Sequence, residues 1–128
     1  MTSLQRILYV EDESDIQAVA KLALEMVGGF EVKICSSGEE ALAVAEAFAP
    51  QLLLLDVMMP GIDGPGTLAA LRDIPSLAEV PAVFMTAKVQ TNEVAYYKSL
   101  GALGVIAKPF DPMGLADEVR RIWEGADA

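Results

Sequence analysis

Five short apolar runs alternate along the chain with five segments whose apolar residues recur at helical spacing. The apolar runs predict strands near residues 5–10, 30–35, 51–55, 81–86 and 103–107. The remaining segments predict helices near residues 14–28, 38–48, 64–73, 90–100 and 112–124. This alternation favours a doubly wound α/β fold, because helices that connect parallel strands cover both faces of the sheet.

The polarity of each strand predicts where it lies in the sheet. In the second run, Phe30, Val32 and Ile34 alternate with Glu31 and Lys33, so that one face can contact water. This pattern is typical of an edge strand, whereas the first and third runs are apolar throughout and belong in the centre. We therefore predict a five-stranded parallel (βα)5 sheet in the order 2-1-3-4-5, with the carboxyl ends of strands one and three side by side.

Local signals predict where several helices begin, end and face. Capping side chains predict helix starts at Ser14 with Gln17, at Ser37 with Glu40, and at Asp111 before Pro112. Gly28 and Gly29 are expected to end the first helix. The stripe of that helix that faces the sheet is predicted to contain Ile16, Val19, Ala20, Ala23 and Val27.

Composition narrows the possible functions. The chain has 128 residues, which suits one domain over residues 1–128, and 53% of them are apolar. A net charge of −10 argues against direct contact with nucleic acid or anionic lipid. Because histidine is absent and Cys35 is the single cysteine, only hard cations with oxygen ligands suit the chain. Without a long apolar stretch, a signal peptide or a disulfide partner, a cytoplasmic protein away from membranes is expected.

Polar residues stand at the carboxyl ends of four of the predicted strands, namely Glu11 and Asp12, then Asp56, Thr86 and Lys108. Alone, each has an ordinary explanation, such as a solvated helix entry for the acidic pair or a surface position for the lysine. Asp56 is harder to explain, because an acid that follows four leucines costs free energy unless it is paired or solvated. All five residues fall at the carboxyl edge of one sheet, where neighbouring carboxylates would repel by about 4 kcal/mol per pair and a divalent cation would relieve them.

At these positions the chain resembles the receiver domains of two-component response regulators. This family includes the chemotaxis receivers and has a flavodoxin-like fold. The resemblance covers essentially the whole chain. It rests on the segments VEDE at 10–13, LLLDVMMPGIDG at 53–64, FMTAK at 84–88 and AKPF at 107–110. It implies that the domain accepts a phosphoryl group from a histidine kinase or a histidine phosphotransfer protein.

The family pattern also implies a set of site residues. Asp56 matches the phosphoacceptor, and Glu11 and Asp12 match the acids that hold Mg²⁺ together with it. The backbone carbonyl of Met58 matches the remaining protein ligand of the metal. Thr86 and Lys108 match the hydroxyl and the ammonium group that bind the phosphoryl oxygens.

Other implications concern the switch and its reset. The resemblance implies a cis bond between Lys108 and Pro109, and a partner that binds the face formed by helix four, strand five and helix five. Val105 stands where many receivers carry an aromatic residue or histidine. Met58 and Lys88 occupy the positions that flank the attacking water, and neither has a carboxylate or amide group, which implies slow loss of phosphate. The domain would then be a signalling module with slow self-hydrolysis and not a turnover enzyme.

Three alternatives remain open at the level of the sequence. An interaction module with the same fold would work without phosphorylation, although such proteins usually lack one of the residues present here. A phosphatase of the haloacid dehalogenase type would need a second acid where this chain has Met58. A flavin carrier of the flavodoxin type would need a phosphate-binding loop where this chain has EDES at 11–14.

Overall fold

A computed structural model describes residues 3–125. Five strands form one sheet: β1 (Arg6–Val10), β2 (Glu31–Cys35), β3 (Leu52–Asp56), β4 (Ala82–Thr86) and β5 (Gly104–Ala107). Five α-helices connect or follow them: α1 (Ser14–Leu22), α2 (Gly38–Phe48), α3 (Gly64–Arg72), α4 (Thr91–Ser99) and α5 (Leu115–Gly125). The strands pair in parallel in the order β2-β1-β3-β4-β5, which confirms the predicted fold.

The sheet separates two apolar layers. Strand residues alternate between them, because successive side chains on a strand point to opposite faces. Leu8, Leu53 and Phe84 pack with α2, α3 and α4, whereas Tyr9 and Met85 pack on the other side with α1 and α5. With both faces covered, β1 and β3 are buried almost completely, and β2 alternates between exposed and half-buried positions, as expected for an edge strand.

The first helix differs from the prediction in its second half. Residues Ala23–Val27 form a π-helical segment, in which the amide of Gly28 donates to the carbonyl of Ala23. This wider turn changes which side chains face the sheet, so that Leu24 is buried and Val27 is 48% exposed. Val19, also predicted to be buried, is 42% exposed and lies in a surface groove beside Phe110. The predicted end of the helix is confirmed, since Gly29 has a positive φ of 74°.

Two of the three predicted helix caps were misplaced, although α1 does begin at Ser14 as predicted. Glu13, and not Ser14, is the N-terminal cap of α1, and it makes no capping side-chain bond. The side chain of Asp111 accepts from the amide of Met113 at 3.1 Å, in a turn that precedes α5. Ser37 does cap α2, where its hydroxyl accepts from the amide of Glu40 at 3.1 Å.

The five α-helices are each 9–11 residues long. Within residues 3–125, no helix combines the length and the apolar character needed to cross a bilayer.

Candidate functional site

Two central strands bring the acidic residues together. Asp56 ends β3, and Glu11 directly follows β1, which pairs with β3. The amide of Glu11 donates to the carbonyl of Cys35 at 2.9 Å, which extends the pairing of β1 with β2 by one bond. Gly64 allows α3 to begin against this strand end, because a Cβ there would lie 2.5 Å from the carbonyl oxygen of Asp56.

The three predicted acids form a compact cluster. Ligand oxygens of Glu11, Asp12 and Asp56 all lie within 4.8 Å of one another. The side chains of Glu11 and Asp56 are 0% and 5% exposed, so water screens their repulsion little. Asp12 Oδ1 is buried without a hydrogen-bond partner among the described residues. A buried carboxylate oxygen without a donor, beside two further carboxylates, fits the donor set of a hard divalent cation.

Lys108 supplies a positive charge to this cluster from the carboxyl end of the edge strand β5. Its Nζ donates to Glu11 Oε1 at 3.0 Å and to Asp56 Oδ1 at 3.1 Å. The residue follows β5, and its amide donates to the carbonyl of Thr86 at 3.0 Å, which keeps the ends of β4 and β5 adjacent. The peptide bond between Lys108 and Pro109 is cis, as the family resemblance implied. One ammonium group faces three carboxylates, so negative charge remains in excess.

The environment shifts the acidity of the central pair. Burial, followed by the charge of Glu11, raises the pKa of Asp56 to about 7, although Lys108 opposes this shift. Burial acts to lower the pKa of Lys108, but its hydrogen bonds to Glu11 and Asp56 outweigh that effect and raise it. The ammonium group therefore stays charged at neutral pH. At Asp56 the environment disfavours a bare carboxylate and so favours the binding of a proton or a cation.

The remaining predicted residues surround the mouth of the cluster. A depression of about 260 Å³ is lined by Asp56, Met58, Thr86, Lys88 and Lys108, with Glu13, Ile16 and Ala87 completing its wall. Thr86 is 3% exposed, and its hydroxyl accepts from the amide of Lys88 at 3.1 Å. The side chain of Met58 is 69% exposed. That the Met58 carbonyl binds a metal stays a prediction.

Sequence reasoning missed two side chains that contact Glu11. The hydroxyl of Tyr9 donates to Glu11 Oε1 at 3.2 Å, and burial raises the pKa of Tyr9, so this hydroxyl stays protonated. The side-chain amide of Gln17, expected in a capping box, instead donates from Nε2 to the backbone carbonyl of Glu11 and to the hydroxyl of Ser36. The spacing of Tyr9 and Glu11 could have revealed the first contact, because residues two apart share a face of a strand.

Sequence comparison identifies relatives that match almost the whole chain. The probable transcriptional regulator ycf27 of Pyropia yezoensis is 36% identical over 123 residues, which cover 96% of this chain and 49% of that protein. The DNA-binding response regulator MtrA of Mycobacterium bovis is 35% identical over 119 residues, which cover 93% of this chain and 50% of that protein. The chain thus spans about half the length of these curated relatives.

A solved structure and a family model place the chain in the same family as these relatives. The structure of chemotaxis protein CheY4 of Vibrio cholerae superposes with a TM-score of 0.85 at 28% identity, covering 94% of this chain and 99% of that one. The family model described as the response regulator receiver domain matches residues 7–120. The chain therefore belongs to the response regulator receiver domain family.

Proposed function

We propose that this receiver domain accepts a phosphoryl group on Asp56 from a histidine kinase or a histidine phosphotransfer protein, in a reaction that requires Mg²⁺. The observation that supports this most strongly is the environment of Asp56. A buried carboxylate ends a central strand, with two further acids within 4.8 Å and an ammonium group 3.1 Å away. The same residues in a module that works without phosphorylation would leave this concentration of charge unexplained.

Glu11, Asp12 and Asp56, with the backbone carbonyl of Met58, would hold the cation. The orphaned Asp12 Oδ1 is the oxygen that most needs such a partner. When bound, Mg²⁺ neutralises charge on the carboxylates and on the transferring phosphoryl group. It keeps several waters as ligands, so few protein oxygens suffice and affinity without phosphate is expected to be low.

Asp56 would act as the nucleophile. One of its carboxylate oxygens attacks phosphorus, and a P–O bond forms while the P–N bond of the donor phosphohistidine breaks. The electron pair of the broken bond returns to the imidazole nitrogen of the donor. Lys108 would balance charge on one phosphoryl oxygen, and the hydroxyl of Thr86 would donate to another. Since Asp56 and Thr86 are each only 3% exposed, both are largely desolvated before the reaction begins.

Receiver domains are signalling modules and not classical turnover enzymes. The lifetime of the phosphoryl group on Asp56 would depend on the residues that surround it. Hydrolysis of the aspartyl phosphate needs an oriented water. Met58 and Lys88 line the depression but offer no carboxylate or amide to orient one. We therefore expect slow self-hydrolysis.

The output would be a changed surface formed by α4, β5 and α5, recognised by a downstream protein in the cytoplasm. The mycobacterial relative is named a DNA-binding regulator, but this chain matches half of it. The expectation that nucleic acid is not a direct partner therefore concerns only the residues of this chain, whose net charge is −10.

The test is incubation with acetyl phosphate, with Mg²⁺ or with excess EDTA, followed by intact mass measurement. The unmodified protein should gain the mass of one phosphoryl group only when Mg²⁺ is present. Asp56→Asn should gain none, because an amide is a poor nucleophile. A matched control, Asp73→Asn, makes the same change at an exposed acid and should still be modified. Equal modification of Asp56→Asn and the parent would refute the proposal.

A further inference from the structure

We infer that Tyr9 is a positioning residue for this site, whose hydroxyl holds the Glu11 carboxylate in place when Lys108 turns to the phosphoryl group. The inference rests on the proposed function, because it assumes that Lys108 leaves its present partners during phosphoryl transfer. It assigns a role to a residue inside the sheet that touches neither the phosphoryl group nor the cation.

The geometry makes one oxygen the shared acceptor of two donors. Glu11 Oε1 accepts from the Tyr9 hydroxyl at 3.2 Å and from Lys108 Nζ at 3.0 Å. The other oxygen, Oε2, accepts from the amide of Glu13 at 3.3 Å. Lys108 is therefore one of two side-chain donors to Oε1, and it is the one that the reaction requires elsewhere.

The burial of Glu11 makes the second donor necessary. The side chain of Glu11 is 0% exposed, so solvent cannot replace a donor that moves away. A buried carboxylate that loses a donor retains the full penalty of its desolvation. With the Tyr9 hydroxyl in place, Oε1 keeps a partner when Lys108 leaves. Without it, Glu11 would hold Lys108 more firmly and would also be freer to rotate away from the cation.

Packing alone does not require a hydroxyl at this position. Tyr9 is 0% exposed, and its ring belongs to the apolar layer that includes Leu54, Met85 and Ile106. A phenylalanine ring would fill the same space. The aliphatic residues beside it in β1 bury their side chains without any polar group. The hydroxyl is thus the part of Tyr9 that the core does not explain, and it points at Glu11.

The test compares Tyr9→Phe with Tyr97→Phe, which removes a hydroxyl from another buried tyrosine on the opposite face of the sheet. Mg²⁺ affinity is measured by calorimetric titration with Mg²⁺ alone, phosphorylation by the rate with acetyl phosphate at saturating Mg²⁺, and folding by urea unfolding. For Tyr9→Phe we expect Mg²⁺ affinity to fall about tenfold, as is typical when a partner of a ligating carboxylate is lost. Phosphorylation at saturating Mg²⁺ should also slow, whereas both properties should stay at the parent level in Tyr97→Phe.

Two results would overturn the inference. Parent-like Mg²⁺ affinity and phosphorylation in Tyr9→Phe would overturn the inference, whether or not its urea midpoint falls, since a lower midpoint alone indicates packing. Equal losses in both variants would overturn it as well. If the parent bound no Mg²⁺ and gained no phosphoryl group, the proposed function itself would fail, which distinguishes that failure from the failure of this inference.

Discussion

Asp56 combines deep burial with the nucleophilic role proposed for it, and these two requirements conflict. Burial favours the neutral acid, which is a poor nucleophile, while the neighbouring carboxylate of Glu11 adds repulsion against ionisation. Lys108 offsets part of this effect from 3.1 Å away. The conflict is resolved most directly by a cation, which would favour the ionised form and so couple nucleophilicity to metal binding.

The pH dependence of stability should reveal this conflict in metal-free protein. The pKa of Asp56 is raised from 3.8 to about 7, so the folded state binds a proton more tightly than the unfolded chain. The stabilising contribution of this protonation is complete below about pH 4 and is lost as the pH rises through about 7. Asp56→Asn should therefore stabilise the fold much more at pH 8 than at pH 4.5, by urea unfolding in EDTA.

The opposite trend would contradict this assignment. If Asp56→Asn stabilised the fold more at low pH, the carboxylate would be ionised more readily in the folded state than in the unfolded chain. Saturating Mg²⁺ provides the control, because it should reduce the difference between parent and variant at pH 8.

Individual residues of the candidate site stand out in the sequence where their type conflicts with their surroundings. An acid after four leucines, and a lysine at the corresponding end of another strand, stand out from an apolar pattern, and the structure brings Glu11, Asp12, Asp56 and Lys108 together. Tyr9 was missed because its ring fits that pattern, so hydropathy hides the hydroxyl. Whether the carbonyl of Met58 faces the cluster depends on the local backbone direction, which the sequence does not specify.

Among secondary-structure elements, the strands were predicted more closely than the helix ends. Each strand begins only one residue later than predicted. The central strands are apolar runs buried on both faces, and such runs give a clear signal. Helix ends depend on which of several competing local hydrogen bonds forms, and the sequence alone does not decide this. Asp111 stabilises a turn and delays α5 to Leu115, and the π-helical turn after α1 depends on packing against the sheet and Gly28.

The route of the switch is a question for β4 and the loop that follows it. The Thr86 hydroxyl accepts from the amide of Lys88, so drawing Thr86 toward a phosphoryl group would displace residues 87–90 and the start of α4. Val105 has a stiff β-branched side chain and packs against the core, without an aromatic ring that could swing inward. Coupling should therefore run mainly through Thr86.

We predict that Thr86→Ala keeps phosphorylation of Asp56 but blunts the difference in partner affinity between phosphorylated and unphosphorylated protein. Val105→Ala should keep that difference and mainly lower stability, by about 1–2 kcal/mol for the lost methyl groups. Partner affinity in both states, together with urea unfolding, separates the two effects. A phosphate response that survives in Thr86→Ala and is lost in Val105→Ala would reverse the proposed route.

For the whole molecule, a net charge of −10 means that any divalent cation has a general stabilising effect in addition to specific binding. Removing any acid also reduces overall repulsion. A test of the metal site must therefore compare variants with the same net charge and hold ionic strength constant.

Asp12→Ala and Glu46→Ala form such a pair, since each removes one negative charge and Glu46 is exposed on α2, away from the cluster. The parent and Glu46→Ala should melt at progressively higher temperature as Mg²⁺ is added at constant ionic strength, gaining about 1.4 kcal/mol at ten times the dissociation constant. Asp12→Ala should lose most of this response, because it removes the oxygen that lacks a partner in the cluster. In EDTA it should melt above Glu46→Ala, because it also relieves repulsion between buried carboxylates. Equal Mg²⁺ responses in the two variants would show that the cation acts on overall charge, and the cluster of Glu11, Asp12 and Asp56 would then not be its binding site.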